Sequence, residues 1–525
     1  MKKIGVFLGF QPGDHLTIHG IGRLVAFVLQ GDNAKNMVLF YPKWLDNELH
    51  NLLKDNKIDI KNLELVSTEA VPVGVKLKNI LNKDKVKTKK INFFFNFKKK
   101  LVKTIKLITT DFFSTSYGLL FYLKTLIYLM IFILLLPLII GTFVLLGFYK
   151  ILRIIGKYFY SGLKKSIPEN YIFRAISIFK SARGKIYQIV IDNELLKLAK
   201  MVNRRKDIDV CFIPSMVWPQ IESIKCKKVL AAPDIVFYDF PTQFKGVGEI
   251  HERLRKSIEH GDSLITYSEY VKNKHLIEKC GVDQSRVTVI KHANVDMSVF
   301  LRVPKSTEGS ITPLNYAKQI LSEYINSNYG PNHILFNYDI QKFDCVIFSS
   351  QYRPHKNIFN LIKAIRIANR EFNRDIKLIL TGDVLKQDVI KNFILTNNME
   401  NEIIVMHNIS SQLLAALNTL VKCSVNPTLF EGGFPFTFSE AYSVGTPSVM
   451  SEIPVVLAEI DSIDLRKKML FDPYNPYSIA EKIVWAVDNA SELYKEQEVL
   501  YHQFSNRDWK AVATEYHKVF NQLVG

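Results

Sequence analysis

Short apolar runs alternate with amphipathic stretches at both ends of the chain. Near the start, residues 4–10 form a continuous apolar run, which is typical of a strand buried on both faces, and residues 24–30 follow with helical spacing. The same alternation resumes at Glu194 and begins again at Asp344. We therefore predict an α/β protein with two Rossmann-like, doubly wound domains built on parallel sheets.

The individual elements follow from the same pattern. Strands are predicted at residues 37–41, 63–66, 210–213, 229–232, 263–268 and 287–290, and then at 344–349, 376–381, 403–406 and 423–425. Helices are predicted at 195–202, 248–260, 314–325, 358–369, from 411, at 478–487 and within 493–523. A polar segment near 301–340 separates the two patterns. We place an N-terminal domain at residues 1–300, a C-terminal domain at 301–505 and a final helix at 506–525.

Residues 75–190 interrupt the first domain. A lysine-rich stretch carries Phe93–Phe95 next to Lys98–Lys100, and 25 residues without a charge follow at 125–149. A membrane-spanning helix needs about 20 apolar residues, and aromatic residues interleaved with lysines are typical of the headgroup zone. We predict a membrane-associated helical insertion anchored through about residues 90–160, with a buried core helix as the alternative.

Three membrane topologies are open for this insertion: a re-entrant hairpin, one span or two spans. One span would place the two halves of the first sheet on opposite sides of the bilayer. Positive charge flanks both ends of the uncharged stretch, at Lys124 before it and at Lys150, Arg153 and Lys157 after it, which favours a cytoplasmic position for both ends. We therefore prefer a hairpin that turns near Pro137.

The net charge of +19 is concentrated in the insertion. Between Lys76 and Lys185 there are 22 Lys and Arg residues and three acidic residues, Asp84, Asp111 and Glu169. The rest of the chain has 47 basic and 47 acidic residues. Because the charge is local and not spread over a folded domain, we predict an anionic membrane and no nucleic acid as the partner.

The cysteines give no sign of disulfides or of a metal site. All five are scattered along the chain without metal-ligand spacing, at Cys211, Cys226, Cys280, Cys345 and Cys423. Their odd number favours buried thiols in a reducing compartment. The apolar run that follows Met1–Lys3 is too short for a secretory signal, so a cytoplasmic position is expected.

The chemistry is concentrated in residues 421–450. A short strand ends at Asn426-Pro427, a loop carries Glu431 and the pair Gly432-Gly433, and a helix with Glu440 follows. This order is suited to a ligand at the carboxyl end of a parallel sheet. Glycines allow backbone amides to approach a ligand, a helix start attracts an anion, and carboxylates accept hydrogen bonds from sugar hydroxyls.

The string FEGGFPFTFSEAYSVGTP at 430–447 resembles the paired-glutamate signature of the family 4 retaining glycosyltransferases, which have the two-domain GT-B fold. The family usually has seven residues between its glutamates, and this chain has eight. The resemblance implies that Glu440 accepts from the ribose hydroxyls of the donor, with Ser439 beside it. It also implies that Glu431 and the backbone amides of Gly433 and Phe434 hold the hydroxyls of the transferred sugar, with Gly432 in the same donor-binding loop.

Other segments carry the same resemblance. SSQYRPHKN at 349–357 resembles the family's diphosphate loop, so Arg353 and Lys356 are expected to neutralise the leaving diphosphate. Gly20, Gly22 and Arg23 resemble the family's GIGR start, a loop that faces the acceptor and the diphosphate. Asp234 matches an acidic position of the family, although Pro233 stands where a histidine often precedes it.

The resemblance implies a hexosyltransferase with two domains facing a cleft and a last helix that crosses back to the first domain. It implies retention of configuration, a nucleotide-diphosphate sugar donor and no cofactor or metal. With the insertion, it predicts transfer to a glycan or lipid-linked acceptor at the cytoplasmic face of the inner membrane, in the biosynthesis of a surface polysaccharide such as lipopolysaccharide or capsule. The alternative is a catalytically degenerate GT-B scaffold or binding protein at the membrane.

Overall fold

The computed structural model describes residues 3–16, 20–30, 35–76, 118–130, 170–244, 246–302, 312–329, 340–407, 409–505 and 507–524. Most of the predicted insertion, including Pro137, the Phe93–Phe95 stretch and most of the uncharged run, lies outside these residues. Within them, no helix combines the length and the apolar composition that crossing a membrane would require. The described chain divides into two compact units.

The first unit contains residues 1–26, 35–213 and 218–226. Its strands are β1 (Lys3–Phe7), β2 (Met37–Tyr41), β3 (Glu64–Ser67) and β4 (Ile208–Ile213). They lie in the order β3-β2-β1-β4. β1 pairs in parallel with both β2 and β4. Every residue of β2 is buried, as expected for a parallel strand covered on both faces.

The helices of this part of the chain are α1 (Gly20–Val28), α2 (Asp46–Asp55) and α3 (Asn170–Arg204), together with helical residues 118–130 and 3₁₀ turns at Lys43–Leu45, Ile60–Asn62 and Pro219–Ser223. Charged side chains form an ion cluster where β1, β3 and β4 begin. Arg205 contacts both Glu64 and Asp207, and Lys3 Nζ lies 2.8 Å from Glu64 Oε2. The hydrogen bonds from Arg205 lower the pKa of Glu64 and of Asp207 to about 2.

The second unit contains residues 27–34, 214–217 and 227–525. Its first strands are β5 (Lys227–Ala231), β6 (Ser263–Thr266) and β7 (Val287–Val289), which are paired in parallel in that order. Between them lie the helices α4 (Val236–Asp239) and α5 (Val247–His260), the π-helix Val271–Lys279 and 3₁₀ turns at Pro241–Gln243 and Gln284–Arg286.

A six-stranded parallel sheet follows in the same unit. Its strands are β8 (Asp344–Phe348), β9 (Ile376–Leu380), β10 (Ile403–Val405), β11 (Cys423–Asn426), β12 (Ser448–Ser451) and β13 (Leu470–Phe471), in the order β10-β9-β8-β11-β12-β13. The order reverses between β8 and β11, and the carboxyl ends of neighbouring strands on either side of such a switch point form a crevice for ligands. β11 pairs with β8 and β12.

Helices cover both faces of this sheet. They are α6 (Pro313–Asn328), α7 (Ile358–Arg370), α8 (Asp388–Thr396), α9 (Ser411–Leu420), α10 (Phe436–Tyr442), α11 (Pro454–Leu457), α12 (Ile463–Met469), α13 (Pro476–Asp488), α14 (Ala490–Glu496) and α15 (Glu498–Ser505), with 3₁₀ turns at Ser298–Leu301, Ile340–Lys342 and Pro354–Lys356. A further helix, α16 (Trp509–Gln522), follows α15 in the chain. Two apolar clusters form the core, one on each face of the sheet. Apolar residues of α7 and α13 contribute to one, and those of α6 and α9 to the other.

Two predicted elements need correction. The segment from Gly20 to Arg23 was expected to be a glycine loop, but it is the first turn of α1. A Cβ on Gly22 would lie 1.9 Å from the carbonyl oxygen of Leu16, so this turn packs on the preceding backbone. The helix predicted at 195–202 is the end of the 35-residue α3, which extends back to Asn170. The domain boundaries at 300 and 505 and the crossing of the last helix remain predictions.

Candidate active site

The segment that follows β8 is held in a fixed turn. Pro354–Lys356 forms one 3₁₀ turn, and Asn357 adopts a left-handed conformation with φ of 55° before α7 begins. Asparagine tolerates this conformation better than most residues. Its buried side chain donates hydrogen bonds to the carbonyl oxygens of Pro427 (3.0 Å) and Pro473 (2.7 Å). Asn357 therefore ties this turn to the segments that follow β11 and β13.

The loop after β11 is anchored to the same turn. Leu429 N donates to the carbonyl oxygen of His355 at 2.8 Å, and Thr428 Oγ1 donates to the carbonyl oxygen of Phe430 at 2.9 Å. Asn426, the last residue of β11, accepts a hydrogen bond from Thr428 N at its side chain. Because β8 and β11 are neighbours, these bonds bring the two loops that follow them into direct contact.

The predicted catalytic side chains meet where these loops converge. Lys356 Nζ lies 2.5 Å from Glu431 Oε1, and both side chains are partly exposed. Asp234 keeps solvent-exposed surface, but the atoms packed around its carboxyl group raise its pKa by desolvation. The Glu431 carboxylate adds to this effect, while the charges of Arg353 and Lys356 oppose it. The structure thus places all four predicted groups in one electrostatic cluster, with Arg353 exposed to solvent. Two cations and two carboxylates are available there to a ligand.

The two glycines of this loop are required by close packing against the protein. A Cβ on Gly432 would lie 2.1 Å from the carbonyl oxygen of Pro233, and one on Gly433 would lie 3.0 Å from Tyr267 Cβ. Ser268 Oγ donates to the carbonyl oxygen of Gly432 at 2.8 Å. The Gly432-Gly433 pair therefore seats the loop against the segments after β5 and β6, and its predicted contact with a donor stays a prediction.

The helix α10 carries the remaining residues of the motif. Ser439 and Glu440 are each 3% exposed. Ser439 Oγ accepts a hydrogen bond from Val295 N at 3.0 Å and donates to the carbonyl oxygen of Phe436. Phe434 stacks on Phe504 with ring centroids 5.1 Å apart. Ser439 and Phe434 thus have structural contacts of their own in addition to their predicted proximity to a donor.

Gly20, Gly22 and Arg23 are described separately because they belong to the first unit. They form the first turn of α1, where Gly22 packs on the Leu16 carbonyl. Their predicted role toward an acceptor or a diphosphate stays a prediction.

The sequence did not single out a buried histidine behind the loop. His275 is 0% exposed on the π-helix, and its Nε2 lies 2.9 Å from Asp239 Oδ2. Its ring stacks on Phe430 at 5.3 Å between centroids and 5° between planes. Lys279 contacts the second oxygen of Asp239. His275 therefore supports the residue that precedes Glu431, although no motif connects these distant positions.

The described residues contain no group of three or more His, Cys, Asp or Glu side chains arranged to hold a metal ion. All five cysteines are free.

Residues 336–500 match the model of the family Glycosyl transferases group 1. No curated protein matches the chain. Among solved structures, HepE of Anabaena in complex with UDP and glucose is similar, with a TM-score of 0.55 at 10% identity, covering 99% of this chain and 100% of that chain. HepE in complex with UDP gives a TM-score of 0.52 at 12% identity, and the match again covers 99% of this chain and 100% of that chain.

The sucrose-phosphate synthase of Thermosynechococcus elongatus is a further structural neighbour, with a TM-score of 0.48 at 14% identity, covering 68% of this chain and 81% of that chain. The two HepE structures are similar over the whole chain and show the fold, and the family match gives the class of its second half. The chain therefore has the α/β GT-B fold, and its residues 336–500 are a Glycosyl transferases group 1 domain.

Proposed function

We propose that this protein is a retaining, metal-independent hexosyltransferase that uses a nucleoside diphosphate sugar. One observation carries the proposal: Arg353, Lys356 and Glu431 lie together where the loops after β8 and β11 meet, inside the group 1 glycosyltransferase domain. These are the charges that binding a diphosphate next to a sugar requires.

The leaving diphosphate would bind to the turn after β8. Arg353 can bind phosphate oxygens bidentately and Lys356 supplies a point charge. The start of the 13-residue α7 follows directly and adds the positive end of a helix dipole. Such groups lower the barrier by stabilising charge that grows on the diphosphate as the bond to the sugar breaks.

Glu431 would hold the transferred sugar. Its carboxylate is paired with Lys356 in the structure, so a bound diphosphate would compete for Lys356 and leave Glu431 to accept from sugar hydroxyls. Glu440, buried on α10, is assigned to the ribose. Because HepE was solved with UDP and glucose, UDP-glucose is the first donor to test.

The acceptor is proposed to be a glycan or a lipid-linked glycan at the cytoplasmic face of the membrane. Two observations support this. The whole net charge of +19 lies between Lys76 and Lys185. The helical residues 118–130 expose eight large apolar side chains, among them Leu119, Leu123 and Leu126. Basic residues attract anionic headgroups, and exposed apolar side chains enter the acyl region.

The first prediction tests the diphosphate site. Changing both Arg353 and Lys356 to Ala should abolish transfer and weaken UDP binding, because each charge-assisted contact contributes roughly 1.5–3 kcal/mol. UDP affinity is measured by calorimetry, and turnover from UDP-sugars is measured with membrane extract as the acceptor.

The control changes Lys467 to Ala, an exposed lysine on α12 away from these loops. If the double variant bound UDP as tightly as the unmodified protein, the assignment of the diphosphate would be wrong. If the unmodified protein bound UDP but transferred no sugar from any donor, the degenerate scaffold would be the better description.

A further inference from the structure

A cavity of about 430 Å³ is lined in part by Glu431, the carboxylate that contacts Lys356. It opens among the segments that follow β11, β12 and β13, three neighbouring strands of the six-stranded sheet. Its volume falls within the roughly 300–1,000 Å³ range of small-molecule sites. Glu431 borders the cavity and also contacts Lys356, so the cavity adjoins the position proposed for the transferred sugar.

Five aromatic rings line this cavity. The rings come from different segments of the second unit: Tyr238, Phe240, Tyr270, Phe430 and Tyr474. Tyr474 is 65% exposed and Phe430 is 6% exposed, so the rings extend from solvent to the interior. A tyrosine offers an apolar face and a hydroxyl at its edge. A sugar ring has matching properties, an apolar C–H face and hydroxyls around its rim.

The charged groups of the wall are acidic. They are Asp239, Glu431 and Glu452, and no Lys, Arg or His side chain is among the residues that line the cavity. Ionised carboxylates only accept hydrogen bonds, and sugar hydroxyls donate them. Lys356 and Lys279 partly offset the charges of Glu431 and Asp239, but neither lysine lines the cavity. A phosphate or a uronic acid would therefore bring its negative charge next to carboxylates and no cation, and like charges in contact repel. The wall therefore favours an uncharged, hydroxyl-rich ligand and disfavours the diphosphate of the donor.

The Asp239 carboxylate is held in place from behind. His275 Nε2 lies 2.9 Å from one of its oxygens and Lys279 contacts the other. Since His275 also stacks on Phe430, one buried side chain orients both a carboxylate and a ring of the wall. A wall supported in this way is pre-organised, which reduces the entropy lost when a ligand binds.

We propose that this cavity binds a neutral sugar unit of the acceptor glycan, stacked on Tyr474 and Tyr238 and hydrogen-bonded to Glu452 and Asp239. The inference rests on the proposed function, because it places the acceptor next to the sugar that Glu431 holds. It adds the chemical class of the acceptor near the reaction: a glycan whose terminal units carry no negative charge.

The test uses the full chain and four neutral disaccharides as probes: maltose, cellobiose, lactose and diacetylchitobiose. Binding is followed by saturation-transfer NMR. At least one disaccharide should bind, and Tyr474→Ala should weaken that binding about tenfold, which corresponds to the loss of one aromatic contact of about 1.4 kcal/mol. Tyr474 is largely exposed, so its removal leaves the core intact.

The matched control is Tyr477→Ala, three residues along the chain at a tyrosine that is 42% exposed and stacks on Phe372 outside the cavity. It should bind the disaccharide as the unmodified protein does. Glucose and glucose 6-phosphate provide the charge comparison, and the phosphorylated sugar should bind more weakly. Binding of no neutral probe, equal binding by Tyr474→Ala, or equal binding of the phosphorylated sugar would each overturn the proposal.

UDP affinity is measured on the same samples to separate the two proposals. If UDP binds and no disaccharide reaches the cavity, the acceptor site is wrong while the proposed function stands. If UDP itself does not bind, the proposed function fails, whatever the disaccharides do.

Discussion

At the scale of single residues, the contact between Lys356 and Glu431 allows the roles of Glu431 and Glu440 to be distinguished by experiment. Glu431 is paired with Lys356, whereas Glu440 is buried on α10, the helix that follows the loop. A diphosphate and the Glu431 carboxylate would compete for the same ammonium group. The energy of binding the donor would therefore include the energy of breaking this pair.

The second prediction follows from this competition. Glu431→Gln removes the competing charge, so UDP should bind at least as tightly as before while transfer of the sugar slows by about tenfold or more, because the lost contact is with the transferred group. Glu440→Gln should instead weaken UDP binding. Calorimetry with UDP and initial rates with the donor sugar separate the two effects.

Glu498→Gln, at an exposed glutamate on α15, is the control for loss of a carboxylate. A Glu431 variant with undiminished transfer would mean that its side chain does not reach the sugar.

The third prediction concerns pH and rests on His355, which is 5% exposed beside Lys356. Burial lowers the pKa of His355 to about 3, and the charges of Lys356 and Arg353 act in the same direction. An unfolded chain takes up this proton near pH 6.5 and the folded chain does not. Stability should therefore fall as pH decreases from 6.5 toward 3, by at most about 1.4 kcal/mol per pH unit.

His355→Phe keeps a ring of similar size and removes the titration. Denaturant unfolding at pH 7, 6 and 5 should show a weaker loss of stability for this variant than for the unmodified protein. His502→Phe, at a side chain that is 63% exposed, is the control for replacing a histidine with phenylalanine outside this turn. If the free energy of unfolding changed equally with pH in the unmodified protein and in His355→Phe, His355 would not contribute to the pH dependence of stability in this range.

At the scale of secondary structure, the loop after β11 is shaped by what it packs against. Gly432 lies closer to the Pro233 carbonyl than any residue with a side chain could, and Ser268 Oγ donates a hydrogen bond to the carbonyl oxygen of Gly432. The loop that carries Glu431 therefore has little freedom to move. Its position depends on segments that follow β5 and β6, far away in the sequence.

The fourth prediction is that Gly432→Ala destabilises the protein by roughly 1–3 kcal/mol, the usual cost of overpacking, and moves Glu431 enough to reduce transfer. Thermal unfolding and turnover are the measurements. Gly248→Ala is the matched control: this glycine lies in α5, a Cβ there would meet nothing within 4 Å, and alanine favours helices. It should be neutral or stabilising. A neutral Gly432→Ala would show that the loop can shift without cost.

Much of this arrangement was accessible from the sequence. Apolar periodicity predicted four of the six strands of the second sheet, β8 to β11, to within a residue or two, but not β13. The loops after β8 and β11 were identified by their charged and glycine residues. The turn at Gly20 was predicted as a loop because its glycines lie between a predicted strand and a predicted helix and resemble the family's GIGR start. The contact of Gly22 with Leu16 is tertiary and has no local signal.

The support behind Glu431 was not predictable in the same way. Asp239, His275 and Phe430 come from three distant segments, and although Phe430 begins the glutamate signature, no motif connects it to Asp239 or His275. A buried histidine has the same local sequence pattern as an exposed one. Only the packing of the π-helix against the loop after β11 shows that these side chains act together.

At the scale of the whole molecule, the proposed membrane attachment rests on the charge and apolar character of the insertion. The fifth prediction is that attachment survives high salt and is released by detergent, because salt screens the basic residues and does not weaken burial of apolar side chains. Fractionation of cells with salt and with detergent measures this. Complete release by salt alone would limit the attachment to electrostatics.

Cysteines at positions 100 and 157, in a background without the five native cysteines, test the hairpin. With both ends cytoplasmic, neither Lys100→Cys nor Lys157→Cys should react with an impermeant thiol reagent added to intact cells. Both should react after the cells are opened. Labelling of one position from outside would replace the hairpin with a single span.

The hydrogen bonds of the segment that precedes α6 have a practical consequence for recombinant fragments. Ser439 accepts from Val295 N, Ser443 Oγ accepts from Met297 N, and Asn294 is bonded to both Tyr501 and Trp509. A fragment cut to the family match at residues 336–500 would lack Ser268, Asn294 and Trp509. It would expose polar groups of α10 and of the Gly432 loop that are now paired. Fragments for crystallisation or screening should therefore begin no later than Lys227 and retain α16.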